Sequence, residues 1–135
     1  MKFLVILFSL TALTWAQDQP HCRCGGFITE SEEEVEVFNL PTFQVENCEA
    51  DQGCRELCRE IWVRNTNDGS LDNETGDGQT VGQTSCDALA ARGDEDFGPK
   101  EVVLYSKLCD GAWEMREESS NEELCCKGGQ YVTCM

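Results

Sequence analysis

The sequence predicts a small disulfide-rich α+β domain: one main helix stapled by disulfides to a sheet of hairpin and meander strands. Three observations carry this. The chain opens on an apolar leader, all ten cysteines follow it, and helical periodicity in the middle gives way to alternation and turn dipeptides in the last third.

In the leader, Lys2 precedes an apolar run from Phe3 to Leu10, and Thr14-Trp15-Ala16 supplies a small–x–small ending. Residues 1–16 therefore read as a secretory signal peptide cleaved after Ala16. The run is too short to cross a bilayer and polar Gln17-Asp18-Gln19 follows it, which argues against an anchor. The expected product is secreted and extracellular. Of 135 residues, 16 are removed and 119 remain, enough for the single domain expected over 17–135.

Cys22, Cys24, Cys48, Cys54, Cys58, Cys86, Cys109, Cys125, Cys126 and Cys134 make up about 8% of that product, a density at which composition alone points to a disulfide scaffold. An even count in an exported chain implies five bridges and no free thiol. The formal charge is −16, and losing Lys2 makes it −17. Such a surface repels nucleic acid and anionic membranes, so neither is an expected partner. A cationic partner or weak calcium binding is allowed.

Along the chain, ITESEEEVEVFNLP reads as a solvated acidic edge running into a short strand that stops at Pro41, and TFQV as a second short strand. The helix around GCRELCREIW has Asp51 as its expected N-cap and Leu57, Cys58, Ile61 and Trp62 on one face. Asp51–Arg55 and Glu60–Arg64 fall at the i,i+4 spacing of helix ion pairs. Residues 65–83, rich in Asn, Asp, Gly and Thr, read as a mobile acidic loop outside the core. That loop carries the glycosylation sequon Asn73-Glu74-Thr75. TSCDALAARG then reads as a short helix, capped by Thr84 or Ser85 and stopped at Gly93.

In the last third, Asp110-Gly111 is a hairpin signal. A two-residue turn there would pair Leu108 with Trp113 and Ser106 with Met115 on a core-facing side, and Lys107 with Glu114 on the other. CCKGGQYVTC reads as a further hairpin through Gly128-Gly129.

The cysteines can be partly assigned from pitch. Cys54 and Cys58 cannot bridge each other within a helix, because their Cα–Cβ bonds run nearly parallel. They need two cysteines presented at a similar pitch. A strand does this at i,i+2, since two steps of about 3.3 Å approach the helical rise of about 5.4 Å per turn. HCRC supplies Cys22 and Cys24, so two parallel bridges from this strand to the helix are expected. Adjacent Cys125 and Cys126 point to opposite faces of a strand and should staple the last hairpin to two different elements, through cysteines among Cys48, Cys86, Cys109 and Cys134. The strand-to-helix staple resembles the cysteine-stabilised α/β motif of defensins and scorpion toxins. The likeness covers the motif alone, since here the C-x-C strand precedes the helix, and no activity is carried over with it.

No catalytic, cofactor-binding or metal-ligating residues are assigned. HCRC with CRELC has zinc-like spacing, but an oxidising compartment turns such thiols into disulfides. His21 is the single histidine and stands near the start of the exported chain, a poor basis for acid–base catalysis. With no H-E-x-x-H or phosphate-loop pattern either, a non-enzymatic interaction protein of inhibitor, defence or ligand type is the leading expectation. Two alternatives stand beside it. One is an acidic extracellular matrix or calcium-associated protein. The other is a carrier of small apolar ligands built around Phe27, Phe38, Phe43, Trp62, Trp113 and Tyr131.

Overall fold

The computed structural model describes residues 19–135, so the leader expected at 1–16 lies outside the described residues. In chain order the elements are β1 His21–Glu30, β2 Glu33–Asn39, β3 Phe43–Gln44, α1 Asp51–Thr66, α2 Val81–Ala91, β4 Phe97–Lys100, β5 Val103–Leu108, β6 Glu114–Ser119, β7 Leu124–Lys127 and β8 Gln130–Val132. This is the α+β disulfide-rich domain the sequence predicts, with the short second helix expected around TSCDALAARG present as α2 and the strands divided between two sheets.

The larger sheet has strand order β2-β1-β5-β6, with β3 pairing the start of β1. All its pairings are antiparallel. Its centre is β1, whose Gly25 and Gly26 are both buried. A Cβ on Gly26 would come 2.9 Å from Val102 Cγ1 and 3.5 Å from Trp62 Cζ3, so a side chain there would collide with the core. The core fills the space between this sheet and the helices. Ile28, Val35, Val37, Phe38, Val102 and Leu104 come from the sheet side, and Cys54, Cys58, Ile61, Trp62, Val81 and Leu89 from the helices or their starts.

Both staples to α1 form as the pitch argument requires. Cys22 bonds to Cys54 and Cys24 to Cys58, with Cα separations of 5.5 and 5.3 Å. Cys48 bonds to Cys109, Cys86 to Cys126, and Cys125 to Cys134. The smaller sheet, β4-β7-β8, is thus held to α2 by Cys86–Cys126. Its β7–β8 turn is Gly128-Gly129, both at positive φ, as the Gly-Gly reading expects.

Local readings are corrected at four places. Asp51 is not the N-cap of α1: Ala50 holds that position without a side-chain bond, and Asp51 sits in the first turn, where an acid faces the positive end of the helix dipole. Asp51 pairs with Arg116, 3.0 Å away, and not with Arg55. The cap of α2 is Thr80, whose hydroxyl accepts from the Gln83 amide at 3.0 Å, so this helix starts earlier than Thr84. Gly93 does follow its end, with φ 94°.

The third correction concerns residues 65–83. The ends of the segment extend α1 and α2, and Leu71 and Val81 are fully buried in the core. The amides of Val81 and Gly82 donate to the carbonyls of Asn73 and Leu71, fastening the base of the loop. Only its tip, 74–79, lacks core contacts of this kind.

The fourth is the register of β5 and β6. Ser106 faces Glu114 and Tyr105 faces Met115, one residue away from the expected pairing. A shift of one exchanges the faces. Met115 is therefore 64% exposed, and Trp113 is half-buried away from the core instead of forming its wall. The cause lies in the turn. Positive φ falls on Cys109, at 54°, and not on Asp110 or Gly111, and residues 109–113 form a five-residue connection. Cys109 is tied to Cys48, and its amide donates to the His21 carbonyl at 2.8 Å.

Candidate binding surface

The helices cover one face of the larger sheet. On the other, strand alternation places Arg23, Gly25 and Phe27 of β1 beside Tyr105 and Lys107 of β5, with Glu34 and Glu36 of β2 at the flank. Phe27 and Tyr105 are only 5% and 6% exposed, yet neither belongs to the main core. Their rings pack together, with centroids 4.7 Å apart.

Trp113, on the connection into β6, supplies the cover. Its ring centroid lies 4.8 Å from that of Phe27 at 59°, the tilted arrangement aromatic pairs favour. Arg23 Cζ stands 5.2 Å and Lys107 Nζ 6.0 Å from the Trp113 centroid, within cation–π range. Both cations come from neighbouring positions, since Arg23 and Lys107 are register partners.

Carboxylates complete the surface. Tyr105 donates its hydroxyl to Glu34 Oε1 at 3.3 Å. Burial, and then the Glu34 charge, raise the Tyr105 pKa. Glu36 lies over Gly25, where a Cβ would push its carboxylate aside. Burial raises the Glu36 pKa, and Arg23 opposes that shift. This face is thus an aromatic centre with two cations above it and two carboxylates beside it.

Cys109 adds a feature at the edge. A non-glycine residue at positive φ costs on the order of 1–2 kcal/mol and persists where its surroundings enforce it. Here the enforcing groups are the Cys48 bridge and the His21 carbonyl.

Other charged groups gather away from this face. A cleft of about 300 Å³ between α1 and β6 is lined by Arg55, Arg59, Arg116, Glu117 and Glu118, with Leu104 and Met115 at its border. The Arg116 side chain, 7% exposed, is clamped by Asp51 and Glu114 and donates to Ser106 Oγ. Arg59 pairs with Glu118. A shallower depression near the β1–β2 turn contains Glu30, Glu32, Asp94 and Asp96. Desolvation and the neighbouring Asp94 raise the Glu30 pKa there.

The residues singled out from the sequence are dispersed. The sulfurs of Cys22, Cys54 and Cys58 lie within 4.8 Å of one another, but all three are in disulfides. His21 Nδ1 lies 3.1 Å from the Gln19 carbonyl oxygen. Asn73 donates its side-chain amide to the Asn65 carbonyl at 2.8 Å. Of the six aromatics named for an apolar-ligand cavity, Phe38 and Trp62 are core, Phe27 and Trp113 lie on the opposite face, and Phe43 and Tyr131 pack at the core margin. Of four clefts on the described residues, only the one at Tyr131, Asp72 and Glu122 has any of the six in its lining. Sequence reasoning missed Arg23, Lys107, Glu34, Glu36 and Tyr105 as a group, because β1 and β5 lie far apart in the chain.

No family model, no curated protein and no solved structure matches this chain.

Proposed function

We propose that this is a secreted, non-enzymatic interaction protein that docks an extracellular protein partner on the sheet face around Trp113. The observation that carries the reading is the gathering of Arg23, Tyr105 and Trp113 on a face no helix covers, with exposed Met115 on the edge strand opposite Tyr105. Trp, Tyr and Arg dominate interface hot spots, and Met is enriched at interfaces. Three disulfides tie this face down, two from β1 to α1 and one, Cys48–Cys109, at the connection that carries Trp113, so docking costs little ordering. Arg23 and Lys107 side by side favour a partner that presents a carboxylate next to an apolar side chain.

The test compares baits in the protein's native fluid. Oxidised wild-type protein should retain a partner that Arg23→Glu loses, with the two baits equally folded by circular dichroism. Equal capture by both would contradict the reading.

The acidic matrix or calcium alternative draws on Glu30 and Asp94 facing each other beside Glu32 and Asp96. A calcium-dependent rise in melting temperature, with no partner lost by Arg23→Glu, would favour it. Asn73 fits the proposed extracellular setting as a glycan acceptor. Glycosylation replaces one of its two amide hydrogens and leaves the other for the Asn65 carbonyl. Removal of N-glycans should therefore lower the mass of the purified protein.

A further inference from the structure

We infer that Cys48–Cys109 is a thiol-opened latch that holds the Trp113 cover in place, an inference that rests on the sheet face being the binding surface. Six cysteines, Cys22, Cys24, Cys54, Cys58, Cys86 and Cys126, are buried, and their three bridges are closed to a thiol in solution. Two bridges remain. Cys125–Cys134 is half-buried at both ends, whereas Cys48 is exposed. Cys48 is thus the most exposed of the bridged cysteines, and its bridge is the one a dissolved thiol reaches first.

The two accessible bridges differ in what they restrain. Cys125–Cys134 spans 9 residues at the end of the chain, and neither cysteine sits at positive φ. Cys48–Cys109 spans 61 residues and holds Cys109 in the left-handed region, at φ 54°. Opening it leaves the single hydrogen bond to the His21 carbonyl as the restraint on Cys109, which then relaxes toward an ordinary backbone conformation, draws the two thiols apart and disfavours reclosure. Trp113 follows four residues later on the same connection, and it covers Phe27 with no helix behind it. The released connection carries Trp113 off the sheet and uncovers Phe27 and Tyr105.

The reductant is a low-molecular-weight thiol. Its thiolate attacks Cys48 Sγ and forms a mixed disulfide, while Cys109 Sγ leaves as a thiolate and takes up a proton. A second thiolate attacks the sulfur of the small thiol in that mixed disulfide. Cys48 is freed and protonated, and the small thiol is oxidised to its own disulfide.

The experiment treats the oxidised protein with reduced glutathione, quenches with an alkylating agent and maps the labelled cysteines over time. Acrylamide quenching of tryptophan fluorescence is followed in parallel. Trp62 is 1% exposed, so a gain in quenching of the exported chain reports Trp113. Cys48 and Cys109 should be labelled first, with quenching rising while the other four bridges are intact. The double variant Cys48→Ser/Cys109→Ser should show the same raised quenching without any thiol. First labelling at Cys125 and Cys134, or quenching unchanged in both the opened protein and the double variant, would overturn the latch. Partner capture separates the two ideas. If the latch opens and the double variant captures the same partners at the same level as wild type, the surface reading fails and the latch stands. If the latch fails while Arg23→Glu still loses the partner, the surface reading stands.

Discussion

Gly82, the second residue of α2, lies under the ring of Tyr131: a Cβ built on it would stand 2.6 Å from both Cδ1 and Cε1. The ring cannot easily give way. The Tyr131 hydroxyl donates to Asp72 at 2.9 Å, and its amide donates to Gln83 Oε1 at 3.0 Å. This contact closes the smaller sheet onto α2 beside the Cys86–Cys126 bridge. In an open helix Gly→Ala would stabilise by up to about 1 kcal/mol. Here Gly82→Ala should instead destabilise by about 1–3 kcal/mol through overpacking. Urea midpoints measured with disulfides intact would decide the sign.

Trp113→Ala and Met115→Ala separate the observed register from the expected one. Trp113 covers Phe27 from one side and is half-buried, so its loss should cost about 1–3 kcal/mol, below the roughly 3–5 of a fully buried Trp. Met115 is 64% exposed, and Met115→Ala should stay within about 0.5 kcal/mol. A core-facing Met115 would give a loss several times larger.

Glu36 predicts a pH signature. Its folded-state pKa lies above the unfolded value because burial penalises the carboxylate. The folded state therefore binds the proton more tightly. The stability this lends is present below the usual carboxylate pKa and is lost as pH rises through the raised folded value. Glu36→Gln should thus gain thermal stability relative to wild type at neutral pH, and the gain should shrink toward zero in acid as Glu36 protonates. Melting temperatures across that range check it. A gain that grew in acid would contradict the assignment.

Limited proteolysis should cut within 74–79 and spare 65–73. Leu71 is anchored in the core, and the Gly82 amide binds its carbonyl, whereas Gly76 and Gly78 are exposed at the tip. Cys48–Cys109 crosses the cut, so the pieces should separate on a gel only after reduction.

What the sequence revealed follows from the range of the forces involved. The helix cysteines and the C-x-C strand were legible because pitch is local geometry and four sulfurs had to meet. The Gly128-Gly129 turn was legible for the same reason. Asp110-Gly111 misled because a long-range bond, Cys48–Cys109, sets the turn and moves positive φ onto Cys109. Leu71 was hidden by composition, since one apolar side chain in a polar run carries no period to detect. The candidate surface was the least legible part. Trp113 and Phe27 could be marked as aromatic, but their meeting depends on β1 pairing with β5, which no local pattern specifies.

The most direct test of the proposed surface is a photo-reactive residue placed at Met115, opposite Tyr105 in the strand register, with a second placed at exposed Arg64 on α1 as the reference. Each oxidised protein is irradiated in native fluid, and adducts are identified by mass spectrometry. A docking face around Trp113 requires a specific protein adduct from position 115 and none of that species from position 64. The same adduct from position 64, or none from 115 while a partner is bound, would contradict it.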